Sequence, residues 1–291
     1  MRASVSAILP CMKSLLAAAL LCSAIAVAQQ PVVNNYAPPK NSTILTTTFV
    51  DWDSLPAHDT IVGQSRQVFD NPTTTLDKLE VHITTLNPGK MSHPVHHHPW
   101  EELILIKDGE FEVSINGKPH HAGPGALVFF ASNDPHNARN IASTPGTYYV
   151  INFVSDLAHD PNARPAAQQS LPGKLASGIY DPATMTPTPT TTGQRVVVVD
   201  SPTLTFQHLE SHITTLNPGQ ISGPDLIDHN DEFAVIKSGD VEMTVEGVAS
   251  RMHAGSVLFW APNVKRTIRN IGPTLASYQV FRVTTAKSPK Q

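Results

Sequence analysis

Four side chains have the types and spacing of a metal site: His96, His98, Glu102 and His136. Residues 96–106 read as a strand, so His96 and His98 point the same way. Pro99 and Trp100 interrupt the ladder, because proline donates no backbone hydrogen bond. The strand resumes at Glu102, which shares a face with Ile104 and Ile106. His136 is the fourth candidate, expected from a neighbouring strand. Three neutral imidazoles and a carboxylate suit Mn, Fe, Co, Ni, Cu or Zn. The expected cofactor is one divalent transition metal, with Mn, Fe, Ni and Zn carried forward. With six coordination positions and four protein ligands, two positions stay open for water, dioxygen or a chelating substrate. A solvated polyhistidine loop would not explain the placed Glu102, the closing Gly109 or the distant Pro135-His136.

The elements that must hold these side chains read as short strands parted by Gly, Pro, Asn and Asp. They are Leu103–Ile106, Glu110–Ile115, Ala126–Phe130 and Tyr148–Phe153. Asn116-Gly117 between two apolar runs predicts a hairpin. No amphipathic helix of useful length stands outside the N-terminal leader. With 25 Pro and only 15% charged residues, the composition fits a turn-rich β fold.

The chain repeats itself. Leu79–Gly89 returns as Leu209–Gly219, an offset of 130 residues. The same offset maps Gly109 onto Gly239, Gly125 onto Gly255, Asn140 onto Asn270 and Tyr148 onto Tyr278 without a gap. Two copies of one domain follow. The metal-type residues do not repeat: His96 becomes Leu226, His98 becomes Asp228 and His136 becomes Arg266, while Glu102 survives as Glu232. Arg266 between Asp228 and Glu232 would stand where the cation stands in the first copy. Three independent surface charges are the plainer alternative. His82 and His212 occupy equivalent places, which assigns both to the scaffold.

At these residues the chain resembles the cupin superfamily. The first motif of that family reads here as Gly89, His96, His98, Glu102 and Gly109, and the second as Gly123-Pro124-Gly125, His136 and Asn140. The gap from Gly89 to His96 is one residue longer than usual, and Gly123 replaces a usual Pro. The resemblance implies an all-β chain of two tandem double-stranded β-helix (jelly-roll) barrels packed as an intrachain pair, a bicupin. The expected bounds are 45–157 for the metal-binding copy, 158–190 for a linker or exposed excursion, and 191–285 for a degenerate copy without metal. It implies a metal-dependent enzyme of the dioxygenase, decarboxylase, isomerase or lyase type, acting on a small carboxylate- or hydroxyl-bearing molecule. A non-catalytic protein that holds a small ligand through its metal is the alternative. Oxalate-degrading bicupins commonly carry motifs in both copies, so the loss at Leu226 and Arg266 counts against that subgroup.

The remaining candidates have duller expectations. His93 would sit beside the ligands or serve as a spare one. His97 would face away from them, toward solvent or behind them. Glu101 alternates to the other face from Glu102. His120 and His121 read as ordinary strand residues, and Asn140 as structural. Met91, Ile104, Phe130, Tyr149 and Asn152 would line the pocket or pack the core. No general acid or base stands out beyond the ligands, and no serine triad, phosphate loop or dinucleotide fingerprint is visible.

Residues 1–28 read as a signal peptide: Lys13, the apolar run Leu15–Leu21, then the small-x-small Ala26-Val27-Ala28. Met12 is an alternative start to Met1. The expected location is periplasmic or secreted, with no stable membrane anchor after cleavage. Both cysteines, Cys11 and Cys22, lie in this leader, so the mature chain carries no thiol chemistry. Cleavage takes Arg2 and Lys13 from 20 basic residues against 24 acidic ones, a net charge of about −6. Nucleic acid is excluded as a partner, a small-molecule ligand or substrate is expected, and a homo-oligomer stays open.

Overall fold

A computed structural model describes residues 31–159 and 172–290, the side chains of 224–226 excepted. The leader and part of the 158–190 segment lie outside the described residues. Those described form strands, turns and short 3-10 turns, with no α-helix among them. None of their helices is long and apolar enough to cross a membrane.

Each copy closes two sheets into a barrel. In the N-terminal copy the large sheet runs Gly178–Tyr180, Leu127–Phe130, Glu101–Asp108, Gly146–Val154, Lys78–Leu86, Gly63–Asn71 and His58–Thr60. Its small sheet runs Val32–Val33, His96–His97, His136–Asn140, Phe111–Ile115 and Lys118–Ala122. The C-terminal copy repeats the plan, from Thr188–Thr190 to Thr48–Val50 in its large sheet and from Ile221–Leu226 to Val248–His253 in its small one. This is the expected all-β pair of jelly-roll barrels. The Asn116-Gly117 hairpin forms, with φ of 51° and 76°, the positive pair a tight two-residue turn requires.

Strand alternation sorts the core. In Glu101–Asp108, Leu103 and Leu105 join a cluster that includes Phe233, Phe259 and Phe281 of the other copy. Ile104 and Ile106 point the opposite way, into an inner cluster with Phe111, Val113, Phe130 and Tyr148. The two large sheets therefore share one core between barrels, while each barrel keeps its own interior. That double burial is why these strands read as unbroken apolar runs.

Two segments cross between copies. Thr48–Val50, inside the span expected for the N-terminal copy, pairs with Val257–Trp260 of the C-terminal sheet. Gly178–Tyr180, inside the expected linker, pairs with Leu127–Phe130 of the N-terminal sheet. Side chains cross as well. Glu101 is fully buried on the face opposite Glu102 and accepts from Thr203 Oγ1 at 2.5 Å, Thr205 Oγ1 at 2.9 Å and Leu204 N at 2.8 Å. Its counterpart Asp231 accepts from Thr75 Oγ1 at 2.6 Å and from Thr73 Oγ1. Burial pushes both carboxyls above their ordinary pKa, against the pull of these donors.

Candidate metal centre

The strand break at Pro99-Trp100 falls where the sequence requires it. His96–His97 forms a short strand, and pairing resumes at Glu101. Register then brings the side chains together: His136 lies opposite His96, and Glu102 opposite Phe130 on one side and Asn152 on the other. One donor atom from each of His96, His98, Glu102 and His136 lies within 4.8 Å of the others. All four residues are buried. His98 Nε2 is 3.2 Å from Glu102 Oε2, and His136 Nε2 is 3.8 Å from Glu102 Oε1.

The rings are aimed from behind. His136 Nδ1–H donates to Asp134 O at 2.7 Å and His98 Nδ1–H to Trp100 O at 2.9 Å, which turns both Nε2 atoms inward. Phe130 stacks on His136 at 4.0 Å, and Trp100 on His98 at 4.2 Å. His136 Nε2 is buried without a hydrogen-bond partner, a costly arrangement that a cation would relieve. Burial pulls His136 well below the ordinary histidine pKa and, with the neighbouring His93, lowers His96 to about 4. Burial alone would raise Glu102, but the His98 bond and the surrounding imidazoles hold it below the usual carboxylate range. Neutral rings around an ionised carboxylate are the state a divalent metal needs, and the donor set fits one.

The centre opens on a cavity of about 630 Å³ lined by His82, Thr84, Trp100, Ile104, Tyr148 and Asn152, with Val32 and Asn34 at its mouth. No Lys or Arg is among its lining residues. His93 sits beside the ligands, its Nδ1 2.7 Å from His96 Nδ1. His97 faces away but is not solvent-facing: it is buried against Asn133 Oδ1 at 3.2 Å. Met91 and Tyr149 stay out of the cavity. Met91 is exposed and accepts from Asn137 Nδ2. Tyr149 points to the shared core and donates to Gly255 O at 2.9 Å, because Tyr148, Val150 and Asn152 take the cavity face. Asn140 and Asn270 both bond the backbone of their own copy, as structural residues do. His120 and His121 are ordinary exposed strand residues.

His82 and His212 keep equivalent places in the structure, each beside the glutamate two residues before it and each lining the cavity of its own barrel. His82 Nδ1 lies 2.9 Å from Glu80 Oε1. Glu80 is fixed in turn by Asn152 Nδ2 at 2.8 Å, and Trp100 Nε1 donates to Asn152 Oδ1 at 3.0 Å. Burial works against the charged ring, yet the Glu80 carboxylate and the Glu102 charge hold His82 above the ordinary histidine pKa.

In the C-terminal copy Arg266 is buried, pairs with Glu232 and lies over the Trp260 ring at 4.6 Å. A guanidinium does occupy the matched position. Asp228, however, is held by Arg282 Nη2 at 3.0 Å, and Arg282 also reaches Glu232 and Glu210. Arg282 matches Asn152 and was not foreseen.

The Cupin domain family matches residues 82–152 and 212–281, one match per barrel. Over 64 residues the chain is 38% identical to dimethylsulfoniopropionate lyase DddQ of Ruegeria pomeroyi, covering 22% of this chain and 31% of that protein. It is 33% identical over 48 residues to the HTH-type transcriptional activator RhaS of Mannheimia succiniciproducens, covering 16% and 18%. The chain thus spans a third or less of the curated relatives it matches. Among solved structures, a variant of Bacillus subtilis oxalate decarboxylase aligns with a TM-score of 0.62 at 17% identity over 84% of this chain and 79% of that one. The same enzyme at pH 4.6 aligns at 0.61 and 16%. Its Mn(II) centres have been characterised. With one cupin match on each of two barrels that share a core, this chain belongs to the cupin superfamily and is a bicupin.

Proposed function

We propose that the protein is an exported metal-dependent enzyme whose N-terminal barrel holds one divalent transition metal on His96, His98, Glu102 and His136. The convergence of those four donor atoms within 4.8 Å carries this reading. A metal held there would polarise a chelated carboxylate or hydroxyl-bearing substrate. The cavity wall offers no Lys or Arg. Apart from the His82 imidazole, a carboxylate can therefore be neutralised only at the centre, which favours substrates with a single anionic group.

His82 supplies the proton transfer. With Nδ1–H directed at Glu80, its Nε2 is the lone-pair nitrogen on the cavity side. Its raised pKa suits a base that works near neutral pH. Tyr148 is buried and its hydroxyl stays protonated, because burial raises its pKa. Among the dioxygenase, decarboxylase, isomerase and lyase types, a carboxylate-backed imidazole favours the two that move a proton: lyase and isomerase. Likeness to a dimethylsulfoniopropionate lyase supports the same choice. That substrate carries one carboxylate and one sulfonium, and the aromatic Trp100 and Tyr148 line this cavity.

The test is elemental analysis of the chain purified from its native compartment, followed by assay of single-carboxylate substrates with a β leaving group. One bound metal per chain and turnover lost on His82→Gln are expected. Absence of any bound transition metal would overturn the reading. Tight ligand binding without turnover would leave the non-catalytic binding protein as the better one. Export is tested by N-terminal sequencing of that material, with Gln29 expected as the first residue.

A further inference from the structure

The cavity in front of the N-terminal centre is larger than the smallest carboxylic acids need. At about 630 Å³ it falls within the roughly 300–1,000 Å³ of sites for drug-sized ligands. Its two ends differ. At one end the lining residues His96, His98 and Glu102 are buried. At the other, Val32 is 49% and Ile61 97% exposed, and both still line the cavity. Val62, Trp100, Ile104 and Val150 add further apolar wall. The polar groups at the exposed end, Asn34 and Thr60, are uncharged. Val32 is seated by the ligand strand itself: its N–H donates to Val95 O at 3.1 Å, and Asn34 N–H to His97 O at 2.8 Å. Comparison of the copies isolates the apolar additions. Ile61-Val62 forms the turn between His58–Thr60 and Gly63–Asn71. The matched turn is Thr191-Thr192, the polar choice that turns favour, and Trp100 becomes Asn230. These three matched residues do not border the smaller C-terminal cavity of about 200 Å³. A single exposed isoleucine is ordinary, but this one stands with Val32 on the rim of the cavity that leads to the metal-type ligands.

We propose that the ligand of the N-terminal site is a monocarboxylate with an extended apolar body, its head at the centre and its tail against Ile61 and Val32. The head rests on the reading of the centre as a metal site that takes a carboxylate; the tail rests on the wall alone. A tail that reaches the rim covers apolar side chains that otherwise face water, and each methylene so buried strengthens binding about two- to fourfold. A tail that ended in a second acid group would find no Lys or Arg on the wall. The smallest acids would reach the centre but leave the rim wet.

Isothermal titration of straight-chain monocarboxylates, acetate through octanoate, into the full chain as purified tests this at constant ionic strength. Affinity should rise with each methylene. Val32→Thr combined with Ile61→Thr, which gives that turn position the residue of the matched copy, should weaken octanoate about fivefold or more and change acetate little. Both positions are exposed, so the variant should fold. Equal affinity for acetate and octanoate, or a chain-length gain unaltered by the double substitution, would overturn the proposal. The centre is read separately. Stripping the metal with chelator should weaken every acid by the same factor, and octanol should bind more weakly than octanoate. Octanol binding as tightly as octanoate, or acids indifferent to the chelator, would overturn the carboxylate-binding metal centre, and with it the head of the ligand, while a persisting chain-length gain would still support the apolar wall.

Discussion

At the same places on the same strands, one barrel presents three imidazoles and a carboxylate, and the other a guanidinium network. His136 and Arg266 occupy matched positions at the end of matched strands, Glu102 and Glu232 are both buried, and Asn152 and Arg282 stand opposite each glutamate. The N-terminal barrel leaves a buried imidazole nitrogen unmet, where a cation fits. The C-terminal barrel fills that place with its own cations and holds its carboxylates with them. A buried glutamate needs a positive partner in either case. One copy offers that place to a cation from outside the chain, and the other carries its cation in the sequence. The His–Glu pair shows the same divergence. Glu80 raises His82, whereas burial, with Arg195 and Arg282 nearby, lowers His212.

The largest test of this contrast is metal content. His96→Ala or His98→Ala should take the bound metal from one per chain to none by elemental analysis, while Arg266→Met should leave it unchanged. Metal bound in full by His98→Ala would break the comparison. His82→Gln comes next: it should retain metal and lower turnover by about 10²–10⁴-fold, the usual worth of a general base. His212→Gln should leave turnover unaltered.

Stability should separate the barrels more modestly. Arg282→Met leaves Asp228 without a guanidinium and takes one of two partners from Glu210 and Glu232, and should cost about 2–3 kcal/mol by urea unfolding. That is below the cost of a fully buried pair, because Arg282 is 25% exposed. Asn152→Ala at the matched place loses one bond to the Glu80 carboxylate and one from the Trp100 indole, strands no charge, and should cost about 1–2 kcal/mol. Equal costs would mean that the arginine adds nothing.

The smallest effects are in pH. The His212 bond and Arg282 lower Glu210 to about 2 from 4.5. Its contribution to stability is present above the ordinary carboxyl range and is lost as pH falls from about 4.5 toward 2. Glu101 and Asp231 have the opposite sign. Their folded pKa values are raised by burial, so stability declines as pH rises from the ordinary carboxyl range through their raised values. Glu101→Gln should remove part of that slope in urea midpoints measured across pH. By NMR, His82 should titrate at a higher pH than His212.

Much of this was legible in the sequence. The strand period placed His96, His98 and Glu102 on one side, the offset of 130 residues predicted two barrels, and Arg266 was foreseen opposite Glu232. What the sequence left open shares one cause. Tyr148, rather than Tyr149, lines the cavity because the face it takes is fixed by pairing with the strands on either side. His97 is buried because Asn133 comes from a distant turn. Glu101 was expected on the far face, but nothing nearby in the chain announces Thr203 and Thr205 as its partners.

By itself the sequence determined the candidate ligand types, their spacing, the duplication and the loss of three metal-type residues from the second copy, because these depend on local alternation and on comparison of the chain with itself. Only the tertiary structure decided that His82 faces the cavity, that Arg282 is the centre of the second network, and that Glu101 and Asp231 join the barrels. Those contacts depend on which strands become neighbours and in what register, and closure of the sheets sets both.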